Sequence, residues 1–227
     1  MIWFMPICSE CEMEAQYQSW LPSLPPERQK KSLRYRFIKD GWLCAAAYML
    51  LMHALHEEGI PVSQDWRICT TDLGKPYFLN HPHVHFNLAH CDAGVACIIA
   101  DVPVGIDIES IRPLDRKIIA RVFTEQERTF LEHCNNRNLA FTEIWTLKES
   151  WLKATGYGLN YPPKDVTVNA SEDGVYYISV NGYNASVLLA RKAYCVSACW
   201  LGRKPFATTI REVAHQDLHY PVLDLQH

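Results

Sequence analysis

Two acidic side chains, Asp107 and Glu109, stand two residues apart in a segment that alternates strictly between apolar and polar positions. Residues 104–109 read Val-Gly-Ile-Asp-Ile-Glu, and this period of two predicts a half-buried strand with both carboxylates on one face. Like charges placed side by side repel unless a cation lies between them. Mg²⁺ is commonly held by one or two carboxylates together with substrate phosphates. The alternative is the solvated polar face of an ordinary strand.

A second pair of charges lies on a helical pattern at residues 141–155, which Gly156 ends. Glu149 and Lys153 are four residues apart on this helix and are therefore neighbours on its surface. An ordinary surface ion pair worth about 0.3–0.5 kcal/mol would explain their spacing completely. Spacing alone favours that interpretation over a catalytic one.

Six positive charges fall within twelve residues in a chain whose net charge is −3. They are Arg28, Lys30, Lys31, Arg34, Arg36 and Lys39. Such a run is either a solvated face or a site for a polyanionic ligand. His90, at the end of a predicted strand, is open to the same two interpretations, surface or functional.

The elements that must position these residues follow from hydrophobic periodicity. A long helical pattern covers residues 27–58, with an expected break near Asp40 and Gly41 and an almost wholly apolar second half. An antiparallel meander of three strands is expected at residues 84–109, which would place His90 on the same small sheet as the carboxylates. Thr124 and Glu127 form a predicted capping box that opens another helix. Four strand-like segments follow between residues 166 and 201.

Composition indicates a folded, cytoplasmic protein. Hydrophobic residues make up 48% of the 227 positions and charged residues 21%. The nine cysteines, with no secretory signal, favour reduced thiols over disulfides. The pairs Cys8/Cys11 and Cys195/Cys199 suggest zinc, but both lack the repeated close spacing of finger or ribbon sites, which disfavours a structural zinc. The longest apolar run, at residues 42–52, is too short to cross a membrane, and the net charge gives no reason to expect nucleic-acid binding.

Three blocks and a shorter fourth together resemble the hallmark segments of the 4′-phosphopantetheinyl transferase superfamily, in particular its surfactin-synthetase-activating (Sfp) type. They are residues 86–90 (Phe-Asn-Leu-Ala-His), residues 104–109, residues 145–153 (Trp-Thr-Leu-Lys-Glu-Ser-Trp-Leu-Lys) and, ahead of these, residues 74–76 (Gly-Lys-Pro). Each block alone is a weak signal. Their order and separations make the resemblance specific, and it extends from about residue 26 to residue 168.

The resemblance implies an α+β fold of two similar subdomains, each a helix plus a small antiparallel sheet, related by a pseudo-twofold axis. We place these subdomains at residues 1–105 and 106–227. The resemblance also implies transfer of the 4′-phosphopantetheine arm of coenzyme A to a serine of an apo acyl or peptidyl carrier protein, with release of 3′,5′-ADP. The partners would be carrier proteins or domains of polyketide, non-ribosomal peptide or fatty acid synthases. Secondary metabolite biosynthesis is among the pathways in which such carriers act. A monomer is expected.

Site residues are implied in the same way. Asp107, Glu109 and Glu149 would bind Mg²⁺, with Mn²⁺ as an alternative, and Glu149 would also deprotonate the carrier serine. Lys153 would pair with the pyrophosphate. The coenzyme A contacts implied by the family are Arg28, Lys31, Lys75, Pro76, His90 and Lys153. Glu127 is a further acid at a family position, with no specific role implied.

Two departures from the family pattern stand out. Ala89 replaces the serine that usually precedes the histidine, which removes one phosphate-contacting hydroxyl worth about 0.5–1.5 kcal/mol. An arginine common in the apolar helix has no counterpart in residues 41–44. Either Arg34 or Arg36 supplies that charge, or the 3′-phosphate of coenzyme A is bound less firmly. These departures keep open a second hypothesis, a non-catalytic module that binds coenzyme A or a carrier protein. An unrelated metal-dependent phosphohydrolase would require the ordered blocks to be coincidence.

Residues 111–123 are the expected carrier-docking surface. They combine apolar positions with four positive charges, which suits the acidic surroundings of a carrier serine. These charges are Arg112, Arg116, Lys117 and Arg121.

Overall fold

Two long helices, each packed on a β-sheet, organise the protein. The structure, a computed structural model, describes residues 1–61, 66–170, 176–202 and 209–218. Its helices are α1 (Glu10–Trp20), α2 (Pro26–Ser32), α3 (Ile38–Glu57), α4 (Arg116–Val122), α5 (Glu125–His133) and α6 (Arg137–Thr155). Its strands are β1 (Ile2–Pro6), β2 (Ile68–Thr70), β3 (Pro76–Phe78), β4 (His85–Cys91), β5 (Gly94–Ala100), β6 (Val104–Ser110), β7 (Asn169–Ala170), β8 (Tyr176–Val180), β9 (Tyr183–Ala190), β10 (Tyr194–Leu201) and β11 (Ile210–Glu212).

The first half is built around α3, which is buried along nearly its whole length. It packs on a sheet of order β11-β1-β5-β4 and against α1 and α2. The expected break in the long helix lies at residues 33–37, a few residues earlier than predicted. Gly41 lies inside α3, where a Cβ atom would stand 3.0 Å from the Tyr17 hydroxyl of α1. This glycine therefore permits a close helix–helix contact and does not end a helix.

The second half is built around α6, which lies across β6, β10 and β9 of an antiparallel sheet of order β6-β10-β9-β8-β7. Gly105 in β6 is in direct contact with this helix. A Cβ atom there would stand 2.2 Å from the Ser150 carbonyl oxygen and 2.4 Å from the Ala154 nitrogen. The polar face of β6 is therefore covered by α6 over most of its length and is not solvated.

The predicted three-strand meander is wrong in its third strand, because β6 pairs with β10 and not with β5. The apolar face of β6 packs on the facing sheet, where Val104, Ile106 and Ile108 join one core with Phe4 and Ile98. Packing this face between the two sheets removes its apolar surface from water. His90, in β4, therefore lies on the sheet that packs against the apolar face of β6 and not on the sheet that carries the carboxylates.

The two halves share one plan, a long helix on a sheet, and the fold is α+β as expected. Both sheets are antiparallel except for the parallel pair of β1 and β11 in the first. The proposed boundary between residues 105 and 106 falls inside β6, which belongs to the second sheet from Val104 onward. The division into two subdomains otherwise stays a prediction. Among the described residues, no helix is both long and apolar enough to cross a membrane.

Candidate active site

Asp107 is the most buried acid of the candidate site, at 5% exposure. It projects from the face of β6 that α6 covers, and its Oδ1 accepts a hydrogen bond from Lys153 Nζ of that helix at 2.5 Å. Its Oδ2 is buried and has no hydrogen-bond partner. Burial raises the pKa of Asp107, although the ammonium of Lys153 opposes this shift. A buried, half-satisfied carboxylate is costly unless a further positive charge approaches it.

Glu109 lies two residues farther along the same face, at the edge of the covered region. The indole Nε1 of Trp145, on α6, donates to its Oε1 at 3.3 Å, and Arg112 Nη2 lies 4.0 Å from Oε2. Burial and the nearby Asp107 raise the pKa of Glu109. The two strand acids therefore interact electrostatically, as their spacing predicted.

Glu149 is brought to the same place by α6. Burial is the main cause that raises its pKa to about 7, and Asp107 and Glu109 add to the shift while Lys153 opposes it. Three carboxyl groups thus share one region that carries a single closely paired ammonium. A pKa near neutrality is also the value at which a carboxylate is most effective as a general base.

The three acids fit a hard divalent cation by their chemistry. All of their donor atoms are oxygens, which Mg²⁺ and Mn²⁺ prefer, and Asp107 Oδ2 is a buried acceptor without a donor. Their oxygens do not yet converge. Among the described residues, only Cys8, Glu12 and His215 bring three such ligand atoms within 4.8 Å of one another. Cation binding at the three acids would therefore require their side chains to rotate toward one another.

A cavity of about 1140 Å³ opens in the first half and carries the basic run. Of the predicted coenzyme A contacts, it is lined by Arg28, Lys31, Pro76 and His90. Sequence reasoning missed Arg67, which also lines it and which no motif singles out. The remaining basic lining residues are Lys30 and Arg34. Arg36 does not line the cavity, and its guanidinium lies over the ring of Phe37.

His90 connects the cavity with the carboxylates. It lines the cavity, and its pKa is lowered by partial burial and then by the positive charges of Lys153 and Lys31. Lys153 is the residue that pairs with Asp107, whereas Lys31 belongs to the basic run. His90 thus lies between the basic cavity and the acidic cluster, near enough to Lys31 and to Lys153 for both charges to lower its pKa.

Lys75 is directed away from this cavity. Its Nζ donates to the carbonyl oxygens of Val104, at 3.3 Å, and of Ala154. Burial lowers the pKa of Lys75 to about 8. The lysine thus ties the first half to β6 and to the end of α6, in place of the ligand contact that the sequence suggested. Its neighbour Pro76 does line the cavity.

Glu127 has a structural partner that sequence reasoning did not identify. Its Oε2 accepts from the fully buried Lys148 Nζ at 2.7 Å and from the Thr124 backbone N–H at 2.8 Å, which completes the predicted capping box. Lys148 also donates to the carbonyl oxygens of Val122 and Pro163. Every donor of this ammonium is used internally, so the pair fixes α5 on α6 and does not face the site.

The sequence is similar to known proteins along most of its length. The profile of the family described as "4'-phosphopantetheinyl transferase superfamily" matches residues 103–199. The 4'-phosphopantetheinyl transferase psf-1 of Bacillus pumilus is 30% identical over 204 residues, which cover 87% of each chain. The 4'-phosphopantetheinyl transferase Sfp of Bacillus subtilis (strain 168) is 27% identical over 163 residues, 71% of this chain and 73% of that one.

Among solved structures, a holo-(acyl-carrier-protein) synthase from Bacillus anthracis in complex with CoA (3',5'-ADP) overlaps 45% of this chain and 97% of its own. The identity is 22% and the TM-score 0.39. The match to psf-1, which covers 87% of both chains, carries the assignment. This protein therefore belongs to the 4′-phosphopantetheinyl transferase superfamily.

Proposed function

We propose that this transferase binds coenzyme A in the basic cavity and moves its 4′-phosphopantetheine arm to a serine of an apo carrier protein at the acidic cluster. The observation that carries the proposal is the position of His90. Its side chain lines the cavity and also lies in the field of Lys153, which pairs with Asp107. A phosphate-rich ligand in the cavity would therefore reach the carboxylates, which is the arrangement that phosphoryl transfer requires.

The basic lining residues would bind the phosphates of coenzyme A. Arg28 and Lys31 project into the cavity, and Arg34 and Arg67 add two guanidinium groups that suit bidentate phosphate binding. Residues 41–44, where the family arginine is missing, are all buried in α3. We infer that Arg34 and Arg67 supply the charge that this helix lacks. Ala89 is buried as well. Because alanine has no hydroxyl, the phosphate contact of the family serine is missing at this position.

Asp107, Glu109 and Glu149 would hold Mg²⁺ or Mn²⁺, which when bound would neutralise part of the pyrophosphate charge. Glu149 would accept the proton of the carrier serine. The serine oxygen then forms a bond to the phosphorus of the phosphopantetheine arm. The bond from that phosphorus to the bridging oxygen breaks, and 3′,5′-ADP leaves with the bonding electrons.

Lys153 would act on the leaving group. In the structure its ammonium is held by Asp107 at 2.5 Å, close enough to His90 to lower the pKa of that imidazole. With a cation held by the three acids, Lys153 would be able to pair with pyrophosphate oxygens. It then stabilises the negative charge that develops as the phosphorus–oxygen bond breaks.

A non-catalytic binding module has less support than a transferase. Both departures from the family pattern concern the coenzyme A contacts, whereas the three carboxyl groups and Lys153 are all in place. We expect the protein to act as a cytoplasmic monomer on carrier proteins or domains of polyketide, non-ribosomal peptide or fatty acid synthases. No membrane or nucleic-acid partner is expected.

Intact mass spectrometry of an apo carrier protein, incubated with this protein, coenzyme A and Mg²⁺, tests the proposal. We expect a gain of one phosphopantetheine unit that disappears when EDTA is added and returns with excess Mg²⁺ or Mn²⁺. A gain that survives EDTA would contradict the metal role of the three acids. Unmodified carriers in the presence of measurable coenzyme A binding would support the binding-module hypothesis instead.

A further inference from the structure

A second group of side chains that could bind a metal ion lies outside the active site, where the start of α1 meets the segment after β11. Cys8 follows β1, Glu12 belongs to the first turn of α1, and His215 opens a short 3-10 helix, His215–Asp217. The Cys8 sulfur, a Glu12 carboxylate oxygen and a ring nitrogen of His215 all lie within 4.8 Å of one another. In the described part of the chain, no other three Cys, His, Asp or Glu side chains meet so closely.

The distances in this group suit a small tetrahedral ion. Zn²⁺ binds sulfur at about 2.3 Å and nitrogen or oxygen at about 2.0–2.2 Å, so two nitrogen or oxygen ligands stand roughly 3.3–3.6 Å apart. His215 Nε2 lies 3.6 Å from Glu12 Oε1, which is too long for a hydrogen bond but close to that separation. A thiolate and an imidazole favour Zn²⁺ over the hard cations Mg²⁺ and Ca²⁺.

Further contacts hold two of the three ligands in position. The Ser9 backbone N–H and hydroxyl donate to Glu12 Oε2 at 3.0 and 2.5 Å, which leaves Oε1 directed at His215. The side-chain amide of Gln16 lies 2.5 Å from Nδ1 of His215, which leaves Nε2 directed at the cluster. The amide oxygen of Gln16 accepts a hydrogen bond from Trp42 Nε1 at 3.4 Å. A metal at Nε2 requires a proton on Nδ1, so the amide would have to rotate by 180°, exchanging the contact with Trp42 for one with Nδ1–H, the arrangement that most zinc-binding histidines have.

We propose that Cys8, Glu12 and His215 form a zinc site in which solvent occupies the fourth position. Binding would replace the thiol proton of Cys8 by the metal and release that proton to solvent. The ion would fasten the segment after β11 to α1, so its effect is on stability. This inference is independent of the proposed transferase activity, because none of its ligands lines the cavity or contacts the three acids.

Titration of the tag-free full-length protein with Co²⁺, in the presence of saturating Mg²⁺, tests the site. We expect intense d–d absorption typical of a tetrahedral site, together with a thiolate-to-cobalt charge-transfer band, and loss of both when Zn²⁺ is added. The charge-transfer band distinguishes this site from the acidic cluster, which contains no sulfur. Absence of these bands from the wild-type protein would overturn the proposal.

Variants locate the site. Cys8→Ser should abolish the charge-transfer band, and Cys8→Ser and His215→Gln should each weaken metal binding by at least about tenfold. Cys11→Ser is the matched control, because Cys11 is exposed on the same helix start and lies outside the group. Zn²⁺ should raise the melting temperature of the wild type and of Cys11→Ser but not that of Cys8→Ser. Retention of the band in Cys8→Ser, or its loss in Cys11→Ser, would also overturn the proposal.

Discussion

At the scale of single residues, the site is defined by more negative charge than it can neutralise internally. Burial raises the pKa of all three acids, and Asp107 adds to the shifts of Glu109 and Glu149. Among the described residues, Lys153 is the one ammonium that pairs closely with an acid of this cluster. A buried acid without a full set of partners destabilises the metal-free protein. The same imbalance becomes favourable when a divalent cation binds.

Removal of a single acid should therefore affect catalysis much more than folding. We expect Asp107→Ala and Glu149→Ala each to lower the rate of carrier modification by at least about a hundredfold, because each removes a proposed metal ligand. Glu143→Ala is the matched control, since Glu143 lies on α6 like Glu149. Burial alone raises the pKa of Glu143, so this residue is not coupled to the other acids. Circular dichroism should show an unchanged fold. A fully active Glu149→Ala variant would remove that residue from the reaction.

Lys75 gives a prediction of pH dependence. Its pKa is about 8 in the folded protein, below the value of 10.5 expected in the unfolded chain. Between these values the unfolded state binds more protons than the folded state, so the free energy of unfolding rises with pH. Relative to Lys75→Met, the wild type should gain stability from about pH 8 to about pH 10, by at most about 1.4 kcal/mol per pH unit.

Chemical denaturation of both proteins at pH 7, 8.5 and 9.5 measures this difference. The methionine keeps the aliphatic stem that packs beside Gly156 and removes only the ammonium. A stability difference that is constant over this range would show that the ammonium is not desolvated as the structure indicates.

Residue types could be predicted from the sequence, but their partners could not. The period of two placed Asp107 and Glu109 on one face, and the helical spacing placed Glu149 beside Lys153. Neither pattern shows that Lys153 pairs with Asp107, because that contact joins residues 46 positions apart. The same holds for Lys148 and Glu127. Their pairing depends on how α5 packs against α6, which local periodicity does not specify.

At the scale of elements, the contact between β6 and α6 creates the site. The helix backbone comes so close to the strand at Gly105 that no side chain fits between them. This proximity places Asp107 and Lys153 at hydrogen-bond distance and covers the polar face of the strand.

Gly105→Ala should separate these two elements. A Cβ atom would meet backbone atoms of Ser150 and Ala154, which cannot rotate away. We expect a loss of roughly 1–3 kcal/mol in the free energy of unfolding, together with weakened catalysis, because the helix must shift relative to Asp107. Urea denaturation and carrier modification assays measure the two effects. Ser110→Ala, at the end of the same strand, should leave both nearly unchanged.

The elements themselves were largely predictable, and the errors have physical causes. The capping box at Thr124 and the left-handed Gly156 after α6 were correctly predicted because their signals are local. α1 was not expected, since its mixed polar and apolar residues give no clear stripe. The partner of β6 was predicted wrongly because alternation determines which face of a strand is buried but not which strand lies beside it.

At the scale of the whole molecule, the two halves contribute different chemistry to one site. The first half supplies the basic cavity and the second supplies the acids. Lys75 of the first half joins the two by donating hydrogen bonds to the carbonyl oxygens of Val104 and Ala154. In the proposed mechanism the transferase needs both halves, because the phosphates of coenzyme A must extend from the basic side chains of the cavity to the acids. The carrier protein must then approach from outside.

The basic surface of α4 is our candidate for carrier docking. Arg116, Lys117 and Arg121 are exposed, while the apolar side of the helix packs on the core that contains Phe123. Exposed charges of this kind are worth about 0.2–1 kcal/mol each. Reversal of two of them, in Arg116→Glu/Lys117→Glu, should therefore raise the apparent KM for an acidic carrier by about tenfold at low salt.

Three comparisons make this prediction specific. The neutral variant Arg116→Gln/Lys117→Gln should show a smaller change in the same direction, because it removes attraction without adding repulsion. The KM for coenzyme A should stay constant in both variants, since neither residue lines the cavity. The difference between wild type and variants should shrink as ionic strength rises, because salt screens exposed charges. If the carrier KM of the charge-reversed variant equals that of the wild type at low salt, the carrier docks elsewhere.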